Sequence, residues 1–440
     1  MSTTDLSFQN TSVAFAHKSN GDLVKARWLF RSFNYPSLLT YGPTMAKAAV
    51  MFGLKFTIKN TIFQQFCGGE NIQECDKAIQ NLANSGIGTI LDYSVEGEEN
   101  ETNFIATCDE ILRTIERAKG NPNIPFSVFK TTGICSSHVL EAASSLIVND
   151  EIQDIELVEN ALPEQYKLGW KLGLDRFMQL CTKAAASHVR LFVDAEETWL
   201  QDAIDLMATH AMESLNKENA WIFNTLQMYR HDRLAYLERQ VSQKKCHYGY
   251  KLVRGAYMEK ERARAAEKGY QDPIQPNKES TDSDYNKAVT FCLENHDRVS
   301  VCIATHNEQS SLLGTQLLTK HNLPKGDWNV SFSQLLGMSD HISFNLSNSG
   351  YKVSKYVPYG PVLSVIPYLT IRVLSKPMPN ANPEYFLGSI PQAIKTFSFT
   401  IPQPPHSIQR PLKKISTSAL GSVNGKKDGR SRVTTSGPNI

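Results

Sequence analysis

Eight short apolar runs alternate with longer stretches of helical periodicity between residues 86 and 360. The stretches between the runs, such as 103–119, 197–214 and 231–244, repeat apolar residues at the spacing of amphipathic helices. Parallel strands that are buried on both faces are apolar along most of their length, as these runs are. The runs are GTILDYSV (88–95), PFSVFKTT (125–132), VRLFVDA (189–195), AWIFNTLQMY (220–229), YGYKLVRGAY (248–257), VSVCIATH (299–306), WNVSFSQLLG (328–337) and KVSKYVPYG (352–360).

Eight strand–helix units close naturally into a (β/α)8 barrel, so the sequence predicts an α/β protein with a TIM-type barrel. A doubly wound open sheet is the alternative that the same alternation permits. Residues 1–85 contain helical segments, among them 45–55 and 72–85, and no predicted strand. We therefore predict a helical arm over 1–85 and a barrel domain over 86–370.

Residues 371–440 differ in composition from the rest of the chain and are predicted to form an atypical tail. They carry ten Lys and Arg residues against two acids, which leaves 36 basic and 42 acidic residues for the first 370 positions. This mildly acidic body lacks the clustered Lys and Arg that phosphate contacts need, so no nucleic-acid partner is expected. The tail is rich in Pro, Ser, Thr, Gly and Lys, and it buries too little apolar surface to offset the entropy of ordering. We predict disorder from about Gln403.

The eight cysteines form no CxxC pair and have no spacing suited to zinc. Such cysteines indicate free thiols in a reducing compartment and no metal site. The N-terminus contains Asp5 and no arginine before Arg27, unlike a secretory signal or an Arg-rich presequence. No apolar stretch reaches the roughly 18 residues of a membrane-spanning helix.

Polar side chains recur at the carboxyl ends of the predicted strands, which is where barrel enzymes carry their working residues. Because these ends meet at one face of a barrel, the side chains together predict a concave polar pocket. The polar residues at these ends are Lys130, Asp194, Gln227, Arg254, Tyr257, Thr305, His306, Asn307, Gln334 and Tyr356, and the apolar Leu335 closes the seventh run beside Gln334.

Each of these residues also has an ordinary structural interpretation. Asp194 and Glu196 could cap the helix that follows them, and Lys130 could be a solvated strand end. His306 could be a hydrogen-bonded core histidine. Lys251 is harder to explain in this way, because strand alternation places it on a buried face, where a charge is costly unless it is paired.

Several classes of enzyme lack their motifs in this chain. There is no HExxH, no P-loop and no GxSxG, and no GxGxxG follows the first predicted strand. These absences argue against a zincin, an NTPase, a hydrolase with a nucleophile elbow and a Rossmann dinucleotide site. Lysines on two predicted strands leave a Schiff-base aldolase as an alternative, since a desolvated lysine can act as the nucleophile there.

Seven strings taken together resemble proline dehydrogenase in its monofunctional, single-domain form. The resemblance covers all eight predicted strands, over roughly residues 30–370, with the motifs in family order; KLVRGAY and KYVPYG are its most specific parts. The strings are FSVFK (126–130), LFVDAEET (191–198), TLQMYRHDR (225–233), KLVRGAYMEKER (251–262), CIATHN (302–307), FSQLLGM (332–338) and KYVPYGPVLSVIPYL (355–369).

The resemblance implies a barrel that carries noncovalent FAD and oxidises L-proline to Δ1-pyrroline-5-carboxylate, the first step of proline catabolism. It further implies a membrane quinone as the electron acceptor and pyrroline-5-carboxylate dehydrogenase as a downstream partner. We expect a cytoplasmic location, peripheral at the inner membrane of a bacterium. The mitochondrial inner membrane is the alternative, because related eukaryotic enzymes are found there.

By motif match, the resemblance also implies roles for individual residues. Lys130 would face the substrate carboxylate, Asp194 would hold the polar network around it, and Tyr257 would orient the carboxylate clamp. Leu335 and Tyr356 would pack on the pyrrolidine ring, and the bulk of Tyr356 disfavours hydroxyproline as the substrate. Lys251 would serve both the substrate side and the flavin. The positions that match flavin contacts are Ala195, Gln227, Lys251, Arg254, Gly255, Ala256, Thr305, His306 and Asn307.

One segment departs from the family pattern. The family continues its last helix as YLxRRxxEN, whose two arginines clamp the substrate carboxylate, but here Ile371 replaces the first arginine and Ser375 replaces the glutamate. Arg372 remains and is predicted to bind the carboxylate. Each lost charge-assisted bond costs roughly 1.5–3 kcal/mol. A replaced or out-of-frame C-terminus, and a catalytically impaired flavin-binding paralogue or scaffold, are therefore hypotheses to set beside an active dehydrogenase.

Overall fold

The eight predicted strands form one closed parallel barrel in the computed structural model of the chain, which describes residues 6–32, 56, 59–95, 99–149 and 152–365. Each strand pairs with the next, and β1 pairs with β8. The predicted barrel is confirmed, and the open-sheet alternative is wrong. The strands are β1 (Ile87–Tyr93), β2 (Phe126–Lys130), β3 (Arg190–Asp194), β4 (Ile222–Gln227), β5 (Tyr248–Val253), β6 (Val299–Ala304), β7 (Val330–Leu335) and β8 (Val353–Tyr359).

Helices lie between the strands and cover the outside of the barrel. The predicted helical stretches 103–119, 197–214 and 231–244 each contain a helix with ends within a few residues of the expected ones. The described helices are Thr11–Phe15, Asn20–Ser32, Gln64–Phe66, Asp76–Ala83, Glu101–Ala118, Ser137–Asn149, Ile155–Ala161, Glu164–Ala186, Thr198–Leu215, Arg233–Ser242, Met258–Lys268, Lys278–Glu294, Glu308–Lys320 and Asp340–Asn348, with a π-helical turn at Lys59–Phe63 and a 3-10 turn at Thr131–Gly133.

The part of the chain that precedes β1 contains helices where it is described. The predicted helix 45–55 lies outside the described residues, and so does all of the predicted tail 371–440. The boundaries of the arm, the barrel domain and the tail therefore stay predictions. Within the described ranges, no helix has both the length and the apolar character needed to cross a membrane.

Aromatic rings fill the barrel interior near the amino ends of the strands. The Phe126 and Phe192 rings stack with their centroids 4.4 Å apart, and Phe223 and Trp328 meet Phe126 edge-on at 5.8 and 5.5 Å. Period-two alternation then places the next inward-facing residues of these strands closer to the carboxyl ends. The barrel interior therefore has a packed aromatic floor, and Lys130 and Asp194 at the ends of β2 and β3 lie beyond it toward the mouth.

Candidate active site

Four of the predicted substrate residues face the mouth of the barrel in two registered pairs. Lys130 at the end of β2 is the register partner of Asp194 at the end of β3. Leu335 at the end of β7 is the register partner of Tyr356 in β8. Since β1 closes the sheet between β8 and β2, the two pairs lie on neighbouring arcs of one rim.

Asp194 joins three strands of the barrel through hydrogen bonds. One of its carboxylate oxygens accepts from the Lys251 ammonium of β5, and the other accepts from the Tyr356 hydroxyl of β8. The Lys251 Nζ also lies 5.0 Å from the Phe192 ring centroid and 5.3 Å from the Tyr356 ring centroid. The buried charge of Lys251, which is 5% exposed, is therefore paired, as burial requires.

Lys130 is a cation surrounded by acidic groups. Its pKa is raised above the usual value, first by attraction to Tyr257 and then, against the effect of burial, by nearby carboxylates. Those carboxylates belong to Asp92, Glu196 and Asp194. Burial raises the pKa of Tyr257 as well, so at neutral pH its phenol is uncharged and the carboxylates supply the attraction. These carboxylates favour the charged form of Lys130, whose side chain is half-buried at the mouth.

Glu196 connects the loops that follow β2 and β3. Its carboxylate accepts hydrogen bonds from the Thr132 backbone N–H, at 2.9 Å, and from the Thr132 hydroxyl. Burial raises its pKa from 4.5 to about 7. The first turn of the following helix is instead satisfied by Glu261, which accepts from the Thr198 N–H at 2.7 Å. The helix-cap interpretation of Glu196 is therefore wrong. Asp194 does not cap that helix either, because its carboxylate oxygens bind Lys251 and Tyr356.

Arg254 is held rigidly on the opposite arc of the rim. Its guanidinium donates to Asp282 Oδ1 at 2.6 Å, to Thr305 Oγ1 at 2.6 Å and to Ser310 Oγ at 2.9 Å. Gly255 follows with a φ of +127°, and a Cβ at this position would approach the Tyr229 ring to 2.6 Å. This backbone turn therefore requires glycine, and it leaves Ala256 exposed at the mouth.

Three predicted flavin positions, Thr305, His306 and Asn307, follow β6 in the loop 305–307. The His306 Nδ1 lies 2.8 Å from the Ser339 hydroxyl of the loop after β7. Thr305 Oγ1 also accepts from the Asn307 N–H at 3.0 Å. The Asn307 side-chain oxygen accepts from the Ser310 N–H at 3.0 Å and so caps a helix. Asn307 thus has a structural role in this loop whatever else it contacts.

Gln227 has a buried side-chain oxygen without a hydrogen-bond donor among the described residues. This residue ends β4 and is 2% exposed, yet no described residue donates a hydrogen bond to its side-chain oxygen. A buried acceptor of this kind costs free energy unless it is satisfied. Together with the exposed residue Ala256 and the charged Arg254, it fits the polar edge of a ring cofactor. Ala195, at the end of β3, is half-buried on the same rim.

Sequence reasoning missed three ionisable residues near the mouth. Asp92 and Lys355 are each the single charged residue of their strands, β1 and β8, as Lys251 is of β5. Asp340 begins the helix after β7 and shows no such signal, because acids are common at helix starts. Arg372, by contrast, was predicted to bind the carboxylate and lies outside the described residues.

The arrangement as a whole has two sides. Lys130 offers a cation to an anionic ligand, and Leu335 and Tyr356 offer apolar surface beside it. The Gln227 and Arg254 side offers hydrogen bonds to a second, planar group. Among the residues that the structure describes, no group of three or more His, Cys, Asp or Glu side chains is placed to hold a metal ion.

Comparisons with known proteins point to one family. The family model described as proline dehydrogenase matches residues 75–375. Proline dehydrogenase 1, mitochondrial, of Dictyostelium discoideum is 31% identical over 404 residues, which cover 83% of this chain and 70% of that protein. Hydroxyproline dehydrogenase of Xenopus laevis is 30% identical over 397 residues, which cover 83% of this chain and 85% of that protein.

The barrel also resembles solved structures. The crystal structure of proline utilization A from Bdellovibrio bacteriovorus aligns with a TM-score of 0.61 and 18% sequence identity over 78% of this chain. The chain spans 36% of the length of that protein, so the likeness is to one part of it. At this level of identity the match supports the fold alone.

We predict that Glu196→Gln weakens the pH dependence of stability. Because the pKa of Glu196 is raised from 4.5 to about 7 in the folded chain, the folded state holds this proton more tightly than the unfolded state does. This side chain therefore lowers the free energy of unfolding as pH rises through that range. Glutamine keeps an acceptor for Thr132 and does not titrate. We expect the loss of stability between about pH 5 and pH 7.5 to shrink by about 1–3 kcal/mol, measured by urea unfolding.

The matched control is Glu238→Gln, at an exposed position on the helix Arg233–Ser242. It should leave the pH dependence of unfolding as it is in the unmodified protein. An unchanged pH dependence in Glu196→Gln would contradict the raised pKa of Glu196.

Proposed function

The chain belongs to the proline dehydrogenase family of oxidoreductases, and we propose that it converts L-proline to Δ1-pyrroline-5-carboxylate with noncovalent FAD as the electron acceptor. The observation that carries this proposal is the Asp194 carboxylate, which binds both Lys251 and Tyr356 beside the cationic Lys130. This arrangement supplies a charged site for a carboxylate next to apolar surface for a small ring.

Lys130 is the proposed ligand of the substrate carboxylate. A second effect follows from the same charge, because a cationic pocket favours the neutral amine of proline over its ammonium form. The neutral amine is the form that can be oxidised. Asp194 holds Lys251 and Tyr356 in place, so that the apolar face of Tyr356 and the Leu335 side chain enclose the pyrrolidine ring.

The reaction removes a hydride from the ring carbon next to the amine and a proton from the ring nitrogen, and a C=N double bond forms. A bound flavin supplies the acceptor for that hydride. The main task of the protein is therefore to hold the ring in one orientation and to keep water away from it. Leu335 and Tyr356 perform this task in our proposal, while Lys130 fixes the carboxylate end.

The flavin side of the proposal rests on residues that fit a planar polar group. Gln227 has an unsatisfied buried oxygen, and Arg254 is fixed by Asp282 and Thr305. We propose that these residues, with Lys251 and the remaining predicted positions of the rim, hold the isoalloxazine edge and the adjoining chain of FAD. The remaining positions are Ala195, Gly255, Ala256, Thr305, His306 and Asn307.

A Schiff-base aldolase is a weaker interpretation of the same lysines. A nucleophilic lysine must be neutral, whereas the pKa of Lys130 is raised and Lys251 is paired with Asp194. The raised pKa keeps Lys130 protonated and the ion pair holds Lys251, so neither amine is suited to attack a carbonyl. Membership in an oxidoreductase family points in the same direction.

The partners and the location are also proposals. We propose that the electrons pass to a membrane quinone and that pyrroline-5-carboxylate dehydrogenase consumes the product. The relatives from Dictyostelium discoideum and Arabidopsis thaliana carry mitochondrial in their names, which supports the mitochondrial inner membrane over a bacterial one.

The central test is reduction of the bound flavin by substrate. We predict that purified protein is yellow and that L-proline bleaches it in the absence of oxygen. Lys130→Ala should lower kcat/KM for proline at least about tenfold, mainly through KM, because the carboxylate loses its charged partner. Asp194→Ala should lower kcat/KM by a similar factor or more, because Lys251 and Tyr356 both lose their acceptor.

Exposed Lys171→Ala is the control for loss of a positive charge, and it should behave as the unmodified protein does. Far-UV circular dichroism shows whether each variant is folded. Equal kcat/KM in Lys130→Ala, Asp194→Ala and the unmodified protein would remove the site assignment. Yellow protein that L-proline never bleaches would favour the impaired paralogue or scaffold.

Hydroxyproline is the second candidate substrate, because relatives at similar identity carry the name hydroxyproline dehydrogenase. Tyr356 favours proline, since its ring is fixed by the hydrogen bond to Asp194 and its bulk would crowd a 4-hydroxyl group. We predict that Tyr356→Ala shifts the ratio of kcat/KM for 4-hydroxyproline over proline upward by about tenfold. Tyr356→Phe, which keeps the ring, is the control, and a ratio above one in the unmodified protein would contradict the preference for proline.

The departure at Ile371 generates a gain-of-function prediction from the sequence. We expect Ile371→Arg to lower KM for proline about tenfold, because it restores a charge-assisted bond of roughly 1.5–3 kcal/mol to the carboxylate beside Arg372. Ile371→Met, of similar size and without charge, is the control. If steady-state kinetics show the same KM in both variants, this position does not contribute to the clamp.

A further inference from the structure

A buried ionic cluster lies directly behind the residues proposed to enclose the substrate ring. Asp340 binds the Lys355 ammonium at 2.9 Å through one oxygen and the Lys18 ammonium at 2.8 Å through the other. The side chains of Lys355 and Asp340 are 1% and 4% exposed. We call Lys18, Asp340 and Lys355 the rear cluster.

Lys355 connects the rear cluster to the wall of the site. It precedes Tyr356 in β8, so strand alternation directs its side chain away from the barrel interior while that of Tyr356 points inward. Its ammonium donates to the Met338 carbonyl at 2.6 Å and to the Leu335 carbonyl at 3.3 Å. One cation therefore ties the last residue of β7 to the strand that carries Tyr356.

The loop 335–339 carries groups that face both sides of the proposed site. Leu335 begins it on the substrate side, and the Ser339 hydroxyl at its end is the partner of His306 on the flavin side. Ser339 has a φ of +50°, a left-handed conformation that costs a non-glycine residue strain unless its surroundings hold it. Asp340 follows Ser339 directly. Its ion pairs with Lys18 and Lys355 therefore hold the loop at its strained carboxyl end.

Lys18 belongs to the N-terminal segment 6–32, which packs on the helix Asp340–Asn348. His17 stacks on the Phe344 ring with their centroids 3.8 Å apart, and the Asn345 side chain donates to the Asn10 carbonyl at 3.2 Å. These contacts bring Lys18 to Asp340 with its side chain 13% exposed.

The charges within the rear cluster are mutually dependent. Although burial acts in the opposite direction, Lys18 and Lys355 hold the pKa of Asp340 far below its usual range. Burial lowers the pKa of His17, which is also near Asp340, to about 4, so this imidazole is neutral at neutral pH. The Asp340 carboxylate therefore has two lysines and no charged histidine as its counterions among the described residues.

We propose that the rear cluster is a positioning device for the active site, in which Lys355 and Asp340 hold the loop 335–339 and the N-terminal Lys18 completes it. The inference rests on the proposed function for the roles of Leu335 and Tyr356. Lys18, Asp340 and Lys355 touch neither substrate nor flavin; they act through Leu335 and Ser339. The N-terminal segment thus contributes, through Lys18, to the positioning of the loop beside the proposed substrate site.

Hydrogen exchange tests the physical link without substrate. Three amides report on the loop: Leu336 N–H bonds to the Tyr356 carbonyl, Met338 N–H to the Leu335 carbonyl and Ile342 N–H to the Ser339 carbonyl. In Lys18→Met we expect these amides to exchange at least about tenfold faster than in the unmodified full-length protein. Lys18→Arg should restore the slow exchange, because it keeps the charge. Lys25→Met, at an exposed lysine of the same N-terminal segment, should leave the loop unchanged.

Steady-state kinetics test the consequence for the site. Lys18→Met should raise KM for L-proline about threefold and Lys355→Met about tenfold, with kcat within about twofold, since the loop sets how the ring is held. A merely structural role would lower the thermal midpoint of unfolding and leave KM of the folded enzyme as it was. Lys18→Met keeps the test decisive if Lys355→Met does not fold, because Lys18 is the most exposed member of the rear cluster.

Faster loop exchange and a higher KM in Lys18→Met, both reversed in Lys18→Arg, would support the inference. Loop exchange that is the same in Lys18→Met, Lys25→Met and the unmodified protein would overturn it, whatever the protein does with proline. An unmodified protein that L-proline does not bleach would instead contradict the proposed function. The two failures therefore have different signatures.

Discussion

The pairing of β1 with β8 is the constraint on which the rest of the structure depends. It runs in register from Ile87 with Val353 to Tyr93 with Tyr359 and converts a row of strands into a closed cylinder. In an open sheet with the same strand order, Tyr356 would stand at one edge and Lys130 near the other. In the closed barrel, Tyr356 donates a hydrogen bond to Asp194, a residue 162 positions away in the chain. The site exists because the cylinder closes.

Closure also buries the strands of the barrel, and charged side chains on buried strands must be paired. Two lysines on these strands are each paired with an aspartate, one on the inner face of the sheet and one on the outer face. Lys251 points into the barrel and binds Asp194, and Lys355 points out of it and binds Asp340. Removal of one partner from such a pair leaves an uncompensated buried charge, so each pair is sensitive to the loss of either member. The inner pair lies on the proposed substrate side of the mouth, and the outer pair contacts the loop 335–339 behind it.

The architecture was predictable from the sequence because its signal is local and repeated. Each strand is a short apolar run, each helix has an apolar stripe, and eight repetitions leave few ways to bury both faces. The predicted runs extend past several strands at their carboxyl ends; 248–257, for example, contains β5 only as Tyr248–Val253. Residues there leave the sheet to form the loops of the site, and periodicity does not distinguish a strand end from the loop that continues it. Residue types at these ends were predictable for the same reason, since barrel mouths collect polar side chains.

What the sequence determined by itself was therefore the succession of elements and the chemical character of the residues at their ends. Which residues become partners was decided by the tertiary structure, since an ion pair or a hydrogen bond depends on distances between strands that are far apart in the chain. Glu196 shows the difference: its position suggested a helix cap, and the fold instead gave it Thr132 as a partner and burial that raises its pKa to about 7. Asp340 shows it again, because an acid at a helix start has no local feature that predicts two buried lysines around it. Local patterns encode propensity and periodicity, whereas charge pairing, desolvation and the shape of the mouth arise when the first and the last strand meet.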